Sequence, residues 1–200
     1  MSVYDLKPRF QDLLRPLCGV LARRGVTANQ MTLLALVFSF FTGGLVWVFA
    51  AAGWSLLLVP VVLFVRMALN AIDGMLAREH DMKTPLGAVL NELGDVLSDA
   101  ALYLPFAIVA GGPAELIVVA VVLAGVSELA GVVSVQIGAS RRYDGPMGKS
   151  DRAVVFGAVG LLLGAGVPPG IWLHTVIGVM VVLLCVTIAR RIQHALEELQ

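Results

Sequence analysis

Charge is scarce in this sequence. Asp, Glu, Lys and Arg make up only 14% of its 200 residues, where a soluble domain carries about a quarter. With a mean hydropathy of +0.90, that scarcity excludes an ordinary water-soluble globule. Cysteine is almost absent: Cys18 and Cys185 stand alone, which argues against a disulfide framework or a thiolate metal cluster. There is no internal repeat, no low-complexity tract and no sign of a second domain. Residues 1–27 lack the compact apolar stretch and small-residue cleavage site of a cleavable signal. The formal net charge is zero, which by itself says nothing about partners; no nucleic-acid partner is expected.

What fills the chain instead is a succession of apolar runs. About 20 such residues span a bilayer core, and six runs qualify, at 29–51, 54–78, 85–110, 114–139, 152–168 and 170–190. They are continuous and do not alternate, so helices are the economical way to satisfy a spanning backbone. The expected fold is therefore all-α and integral to the membrane, with six transmembrane helices.

The few cations are sharply partitioned. Thirteen of the fourteen Lys and Arg residues fall in the N-terminal segment (Lys7, Arg9, Arg15, Arg23, Arg24), after the second span (Arg78, Lys83), after the fourth (Arg141, Arg142, Lys149, Arg152) or at the C-terminus (Arg190, Arg191). Connections near Gly53, Gly112 and Pro168 carry none. By the positive-inside rule both termini are cytoplasmic, as expected of an inner-membrane protein. Within residues 1–27, Val3, Leu6, Phe10, Leu13, Leu14, Leu17 and Leu21 recur at helical spacing between basic residues. That pattern suits an amphipathic helix on the cytoplasmic leaflet, or alternatively a cap packed on the bundle. The expected organisation is this juxtamembrane segment over 1–27, a six-helix domain over 28–192 and a cytoplasmic tail over 193–200.

Polar residues inside the spans are the functional suspects. In the second span Arg66, Asn70, Asp73 and Ala77 step by four, three and four and share one helical face. In the third, Gly87, Asn91, Asp95 and Asp99 recur every fourth residue and share another. A short connection makes the two an antiparallel hairpin. Asp73 then comes level with Asn91, Asn70 with Asp95, and Arg66 with Asp99. Gly74, Ala77 and Gly87 keep bulk out of the approach, leaving room for a ligand or for close helix packing. Clustered carboxyl and amide oxygens suit a hard cation such as Mg²⁺; a polar seam that merely sets helix register is the structural alternative. Arg66 needs a buried partner, with Asp99 matched in depth and Glu128 a second candidate.

The series Asn70-x2-Asp73-Gly74-x2-Ala77-Arg78-x8-Gly87-x3-Asn91-x3-Asp95 resembles the signature of the CDP-alcohol phosphatidyltransferase family, which has aspartate at all four acidic positions. Val26-Thr27-Ala28-Asn29-Gln30-Met31-Thr32 resembles that family's entry into its first span. The resemblance implies six spans after an interfacial helix, so that 28–192 would be a catalytic domain. It also implies transfer of a phosphatidyl group from CDP-diacylglycerol, or a related CDP-alcohol, to an alcohol acceptor with release of CMP. It implies Mg²⁺ or Mn²⁺ as cofactor, membrane lipids as surroundings and a homodimer. Carried over by position, Asp73, Asp95, Asn70 and Asn91 hold metal and Asp95 is also the base. Asn29, Thr32, Gly74, Ala77, Arg78 and Gly87 border the CDP moiety. Basic residues of the fourth connection, Lys149 and Arg152 ahead of Arg141, would meet an acceptor phosphate, or else are ordinary positive-inside charge.

This chain departs from the signature at Asn70 and Asn91. An amide oxygen ligates metal but brings no charge, so the two remaining carboxylates balance one divalent ion where four would balance two. The departure motivates a second functional reading, a catalytically impaired relative that binds CDP-lipid or assists a partner enzyme. A transporter is disfavoured, because the polar groups cluster near one face and line no path to the other.

Overall fold

The protein is described by a computed structural model over residues 3–109 and 111–200, with side chains described from Arg9 onward. Among the described residues there are seven α-helices and no strand: α1 Val3–Arg23, α2 Ala28–Phe49, α3 Trp54–Glu79, α4 Pro85–Tyr103, α5 Ala114–Gln136, α6 Lys149–Gly164 and α7 Ile171–Glu197. Short 3-10 segments follow α2 (Ala50–Ala52) and α4 (Leu104–Ile108). Four helices, α2, α3, α5 and α7, are long and apolar enough to cross a membrane, which makes this a multi-pass membrane protein. The other two expected spans are weaker. α4 carries Glu92, Asp95 and Asp99, and α6 has only 16 residues.

Local chemistry sets the helix ends. Thr27 caps α2 through its side chain, which accepts from Gln30 N at 3.3 Å, while Gln30 Oε1 accepts from Thr27 N at 2.9 Å. Thr84 caps α4 by accepting from Gly87 N at 2.9 Å, and Pro85 follows at the first helical position, where a missing N–H costs nothing. The Asp151 carboxylate accepts from Gly148 N at 2.9 Å, so α6 starts at Lys149 and not at 152 as expected. The third span was expected to run to 110. Helix α4 instead gives way at Tyr103 to the 3-10 turn that begins Leu104-Pro105, since Pro105 cannot donate. Ala110 and the side chains of Val3, Leu6 and Lys7 lie outside the described residues. At the other end α7 runs on to Glu197, taking up most of the expected tail.

The apolar core gathers Val46, Leu56, Leu102, Ile117, Ile177 and Met180 around Tyr103, Phe106 and Phe156. Tyr103 and Phe156 stack at 4.0 Å between centroids. On α6, a Cβ at Gly160 would stand 2.9 Å from the Leu56 carbonyl oxygen and one at Gly164 would stand 2.7 Å from Leu57. Those glycines are spent on packing α6 against α3 within the chain. α1 buries Cys18 against Met31, Ile72, Met75 and Leu76 and leaves Leu13 and Leu17 exposed, an apolar strip that suits a leaflet surface.

The expected hairpin is present, with Arg66 beside Asp99 and Asn70 beside Asp95, but other helices contribute most of its packing. α2 packs closely on both α3 and α4, α3 packs on α6, and α5 on α7. α3 and α4 meet directly through polar side chains, Arg66 and Asn70 on one side and Asp95 and Asp99 on the other. Beyond these, between Asp73 and Asn91, their faces part into a gap flanked by α2.

Candidate active site

The gap begins as a cavity of about 300 Å³ walled by α2, α3, α4 and the α3–α4 connection. Asn29 and Thr32 reach it from α2, Asp73, Gly74, Ala77 and Arg78 from α3, and Gly87 and Asn91 from α4. Asp73 is 7% exposed, and its Oδ2 accepts from Thr32 Oγ1 at 2.9 Å. Asn29 Nδ2 donates to Thr84 Oγ1 at 3.4 Å. A Cβ on Gly87 would lie 2.6 Å from Asn29 Oδ1, and one on Gly74 would lie 2.9 Å from the Arg78 guanidinium. The absent side chains thus let Asn29 rest on α4 and let Arg78 fold back over α3. Lys83 and Thr84 line the same space. Among the described residues neither Arg78 nor Lys83 forms a salt bridge, so two unpaired cations face one carboxylate, Asp73.

Deeper along the gap lies a charged lattice. Arg66, 3% exposed, has Nη1 2.5 Å from Asp99 Oδ1 and Nη2 3.4 Å from Asp95 Oδ1. Asp95 Oδ1 also accepts from Lys149 Nζ at 2.5 Å and from Asn70 Nδ2 at 3.4 Å. Asp99 Oδ2 is gripped by Arg152 Nε and Nη2 at 3.1 and 2.9 Å. Glu128, the alternative partner for Arg66, binds Arg152, Arg141 and Arg191 at 3.1, 3.0 and 3.4 Å instead. An Asp99 shared between two arginines has nothing to offer a metal ion.

A second cavity, about 270 Å³, opens from this lattice and meets the first at Asn91. Lys149 and Arg141 line it, but Arg152 does not. Expected beside Lys149 as a phosphate contact, Arg152 is 2% exposed and turned inward, because Asp99 and Glu128 draw it down. Arg141 is bound to Glu92 through Nε and Nη2 at 3.0 and 2.9 Å. The wall of this cavity is held by the end of α7. Arg191 Nε donates to the Asp144 carbonyl at 3.1 Å, and Glu198 accepts from the Ser140 hydroxyl at 2.8 Å and from its N–H at 3.0 Å. Those bonds, with Arg142 alongside, hold the Glu198 carboxyl below its ordinary value.

Several lining residues escape sequence reasoning. Lys83 was visible only as a positive-inside charge, and Thr84 only as part of the short connection. Glu92 and Arg191 carried no signal, because Glu92 looks like a solvated position on α4 and Arg191 like terminal charge. Among the described residues no three His, Cys, Asp or Glu side chains gather as a metal-ligand group, which follows from Asn70 and Asn91. The donor set at the gap is two carboxylates, Asp73 and Asp95, plus two amide oxygens. That set fits one hard divalent cation and lacks the charge for two.

The sequence matches the model of the CDP-alcohol phosphatidyltransferase family over residues 25–193. It is 50% identical over 161 residues to inner membrane protein YnbA of Escherichia coli (strain K12), covering 80% of each chain. It is 34% identical over 110 residues to inner membrane protein YnjF of the same strain, covering 55% of this chain and 50% of that one. Among solved structures, Mycobacterium tuberculosis phosphatidylinositol phosphate synthase (PgsA1) in complex with manganese and citrate superposes with a TM-score of 0.75 at 21% identity, covering 90% of this chain and 87% of that one. The same synthase with CDP-DAG bound gives 0.75 and 21%, covering 90% and 92%. At such identity the likeness establishes the fold.

Proposed function

The chain belongs to the CDP-alcohol phosphatidyltransferase family, and on that footing we propose that it moves a phosphatidyl group from CDP-diacylglycerol, or a related CDP-alcohol, to an alcohol acceptor, releasing CMP. Membership supports a transferase of phospholipid synthesis. The observation that carries the finer reading is the first cavity: the unpaired Arg78 and Lys83 beside Asp73, framed by Gly74, Ala77 and Gly87, offer a diphosphate both charge and room. The solved synthase that shares the fold binds CDP-DAG, and Asn29 and Thr32 reach the same space here.

The acceptor enters through the second cavity. Its hydroxyl oxygen attacks the phosphatidyl phosphorus, the bond to the CMP oxygen breaks, and the hydroxyl proton passes to Asp95. Lys149 and Arg66 hold Asp95 by Oδ1, so Oδ2 is the oxygen for that proton. Asp73, Asp95 and the amide oxygens of Asn70 and Asn91 would hold the divalent cation, Mg²⁺ or Mn²⁺; the solved synthase is a manganese complex. Such an ion supplies neutralisation of the diphosphate charge.

We place the protein in the inner membrane with six crossings, α4 and α6 being the two short ones, and with both termini in the cytoplasm. Reporter fusions at each end test this, and a periplasmic C-terminus would sink the count. A homodimer carries over from the resemblance, to be checked by native mass spectrometry. The amides at Asn70 and Asn91 favour one other reading, an impaired relative that binds CDP-lipid without turnover. Purified protein with CDP-diacylglycerol and Mg²⁺ or Mn²⁺, assayed for CMP across a panel of alcohols, separates the two.

A further inference from the structure

The second cavity is dense in charge yet has none to spare. Its lining carries four carboxylates, Glu92, Asp95, Glu128 and Asp151, against three cations, Arg141, Lys149 and Arg191. Directly behind, Arg66 and Arg152 share Asp99 and also touch Asp95 and Glu128. Counted with that layer, five cations meet five carboxylates and the cluster is neutral.

Its donors are committed as well. Arg141 gives Nε and Nη2 to Glu92 at 3.0 and 2.9 Å, Nη2 also to Glu128 at 3.0 Å, and Nη1 to the Arg142 carbonyl at 2.5 Å. Arg191 is 1% exposed. Lys149 keeps N–H donors beyond its 2.5 Å bond to Asp95, but it is one ammonium. A phosphomonoester would bring about two negative charges and could be matched only by pulling an existing pair apart, leaving a carboxylate stranded in a poorly hydrated place. An ammonium-bearing alcohol meets the same obstacle with the sign reversed. A neutral polyol does not, since its hydroxyls donate to carboxylates and accept from cations without unmaking a pair. The first cavity shows what this chain does where an anion is to be bound: Arg78 and Lys83 are left free.

Resting on the transferase reading above, we infer that the acceptor is an uncharged polyol and not a phosphorylated alcohol. Full-length protein in lipid nanodiscs, with CDP-diacylglycerol and Mn²⁺, is assayed for CMP release with glycerol, myo-inositol and the monophosphate of each. A polyol is expected to outpace its own monophosphate by at least about tenfold; a faster monophosphate overturns the inference. Binding is read separately by calorimetry with inorganic phosphate as probe and the first cavity saturated with CDP. The wild type should show no saturable phosphate binding, and Glu92→Gln, which removes one of the two carboxylates on Arg141 and leaves the cluster one positive charge in excess, should gain it. Phosphate binding by the wild type that disappears in Lys149→Gln overturns the inference. Failure of every alcohol to release CMP removes the transferase reading, and binding then decides the ligand class by itself. Thermal stabilisation by a polyol without phosphate binding keeps it, and phosphate binding ends it.

Discussion

The two cavities meet at Asn91 and are built on opposite plans. The first is made by subtraction: Gly74, Ala77 and Gly87 withhold side chains, and its cations stand unpaired. The second is made by addition, from charged side chains of α4, α5, α6, α7 and the connection before α6, most of them paired with one another. A space framed by small residues and loose cations is ready for an anionic ligand that supplies the missing counter-charge. A space framed by closed ion pairs admits what leaves those pairs intact. Electrostatics here acts mainly as a filter on what may enter.

That contrast can be broken at several points. The largest effect should come at the junction, where Asp73→Asn or Asp95→Asn is expected to cut CMP release at least about a thousandfold, roughly 4 kcal/mol of barrier. Turnover surviving Asp95→Asn would remove the base assignment. Next is the lattice. Asp99→Leu removes the shared partner of Arg66 and Arg152, leaving them only Asp95 and Glu128, and should cost about 3 kcal/mol or more in mixed-micelle unfolding. Arg66→Met leaves Asp99 with Arg152 and Asp95 with Lys149, and should cost clearly less. Equal losses would mean that the pairs are not shared.

A third test compares the cavities directly. Arg78→Gln should weaken CDP binding by about tenfold to a hundredfold, the range for a charge-assisted contact, while Arg141→Gln should leave it within error in calorimetry. A comparable loss in both would erase the distinction. Smaller again, Asn70→Asp with Asn91→Asp should tighten Mg²⁺ binding roughly tenfold without lipid, since added carboxylates attract a divalent ion; unchanged affinity would place the ion elsewhere.

The smallest effect concerns the α7 latch. Glu198 is depressed by its bonds to Ser140, so its contribution is complete above the unfolded carboxylate value of about 4.3 and fades as pH falls through the lower folded one. The melting difference between wild type and Glu198→Gln should be small at pH 7 and gone well below pH 4; a difference that grows on acidification would contradict the latch.

Much of the first cavity was legible in the chain because its residues lie on two helices joined by a short turn, where spacing alone fixes facing. The depth match of Arg66 with Asp99 is of that kind. The opening between α3 and α4 at Asp73 and Asn91 was not legible, since it depends on α2 lying against both. Nor was the second cavity. Glu92, Glu128, Arg141 and Arg191 span a hundred residues of chain, and the packing of α5 against both α4 and α7 brings them together. Arg152 looked like a surface cation three residues from Lys149; the two share a face of α6, but Arg152 lies nearly one turn further along it, where Asp99 and Glu128 took it. Helix ends shifted where one side chain decided them, as Asp151 did for α6 and Pro105 after α4.

Because α3 and α4 each pack more extensively on α2 than on each other, the width of the site is set from a distance. Gly43 of α2 faces the backbone of α4, where a Cβ would overlap the Ala101 carbonyl. It lies fourteen residues, about 21 Å along the helix axis, from Asn29 at the mouth of the first cavity. The arrangement is that of tongs with their pivot at Gly43. A methyl group wedged into that pivot would tilt the arms and reset the jaw opening, although no residue that touches a substrate had changed.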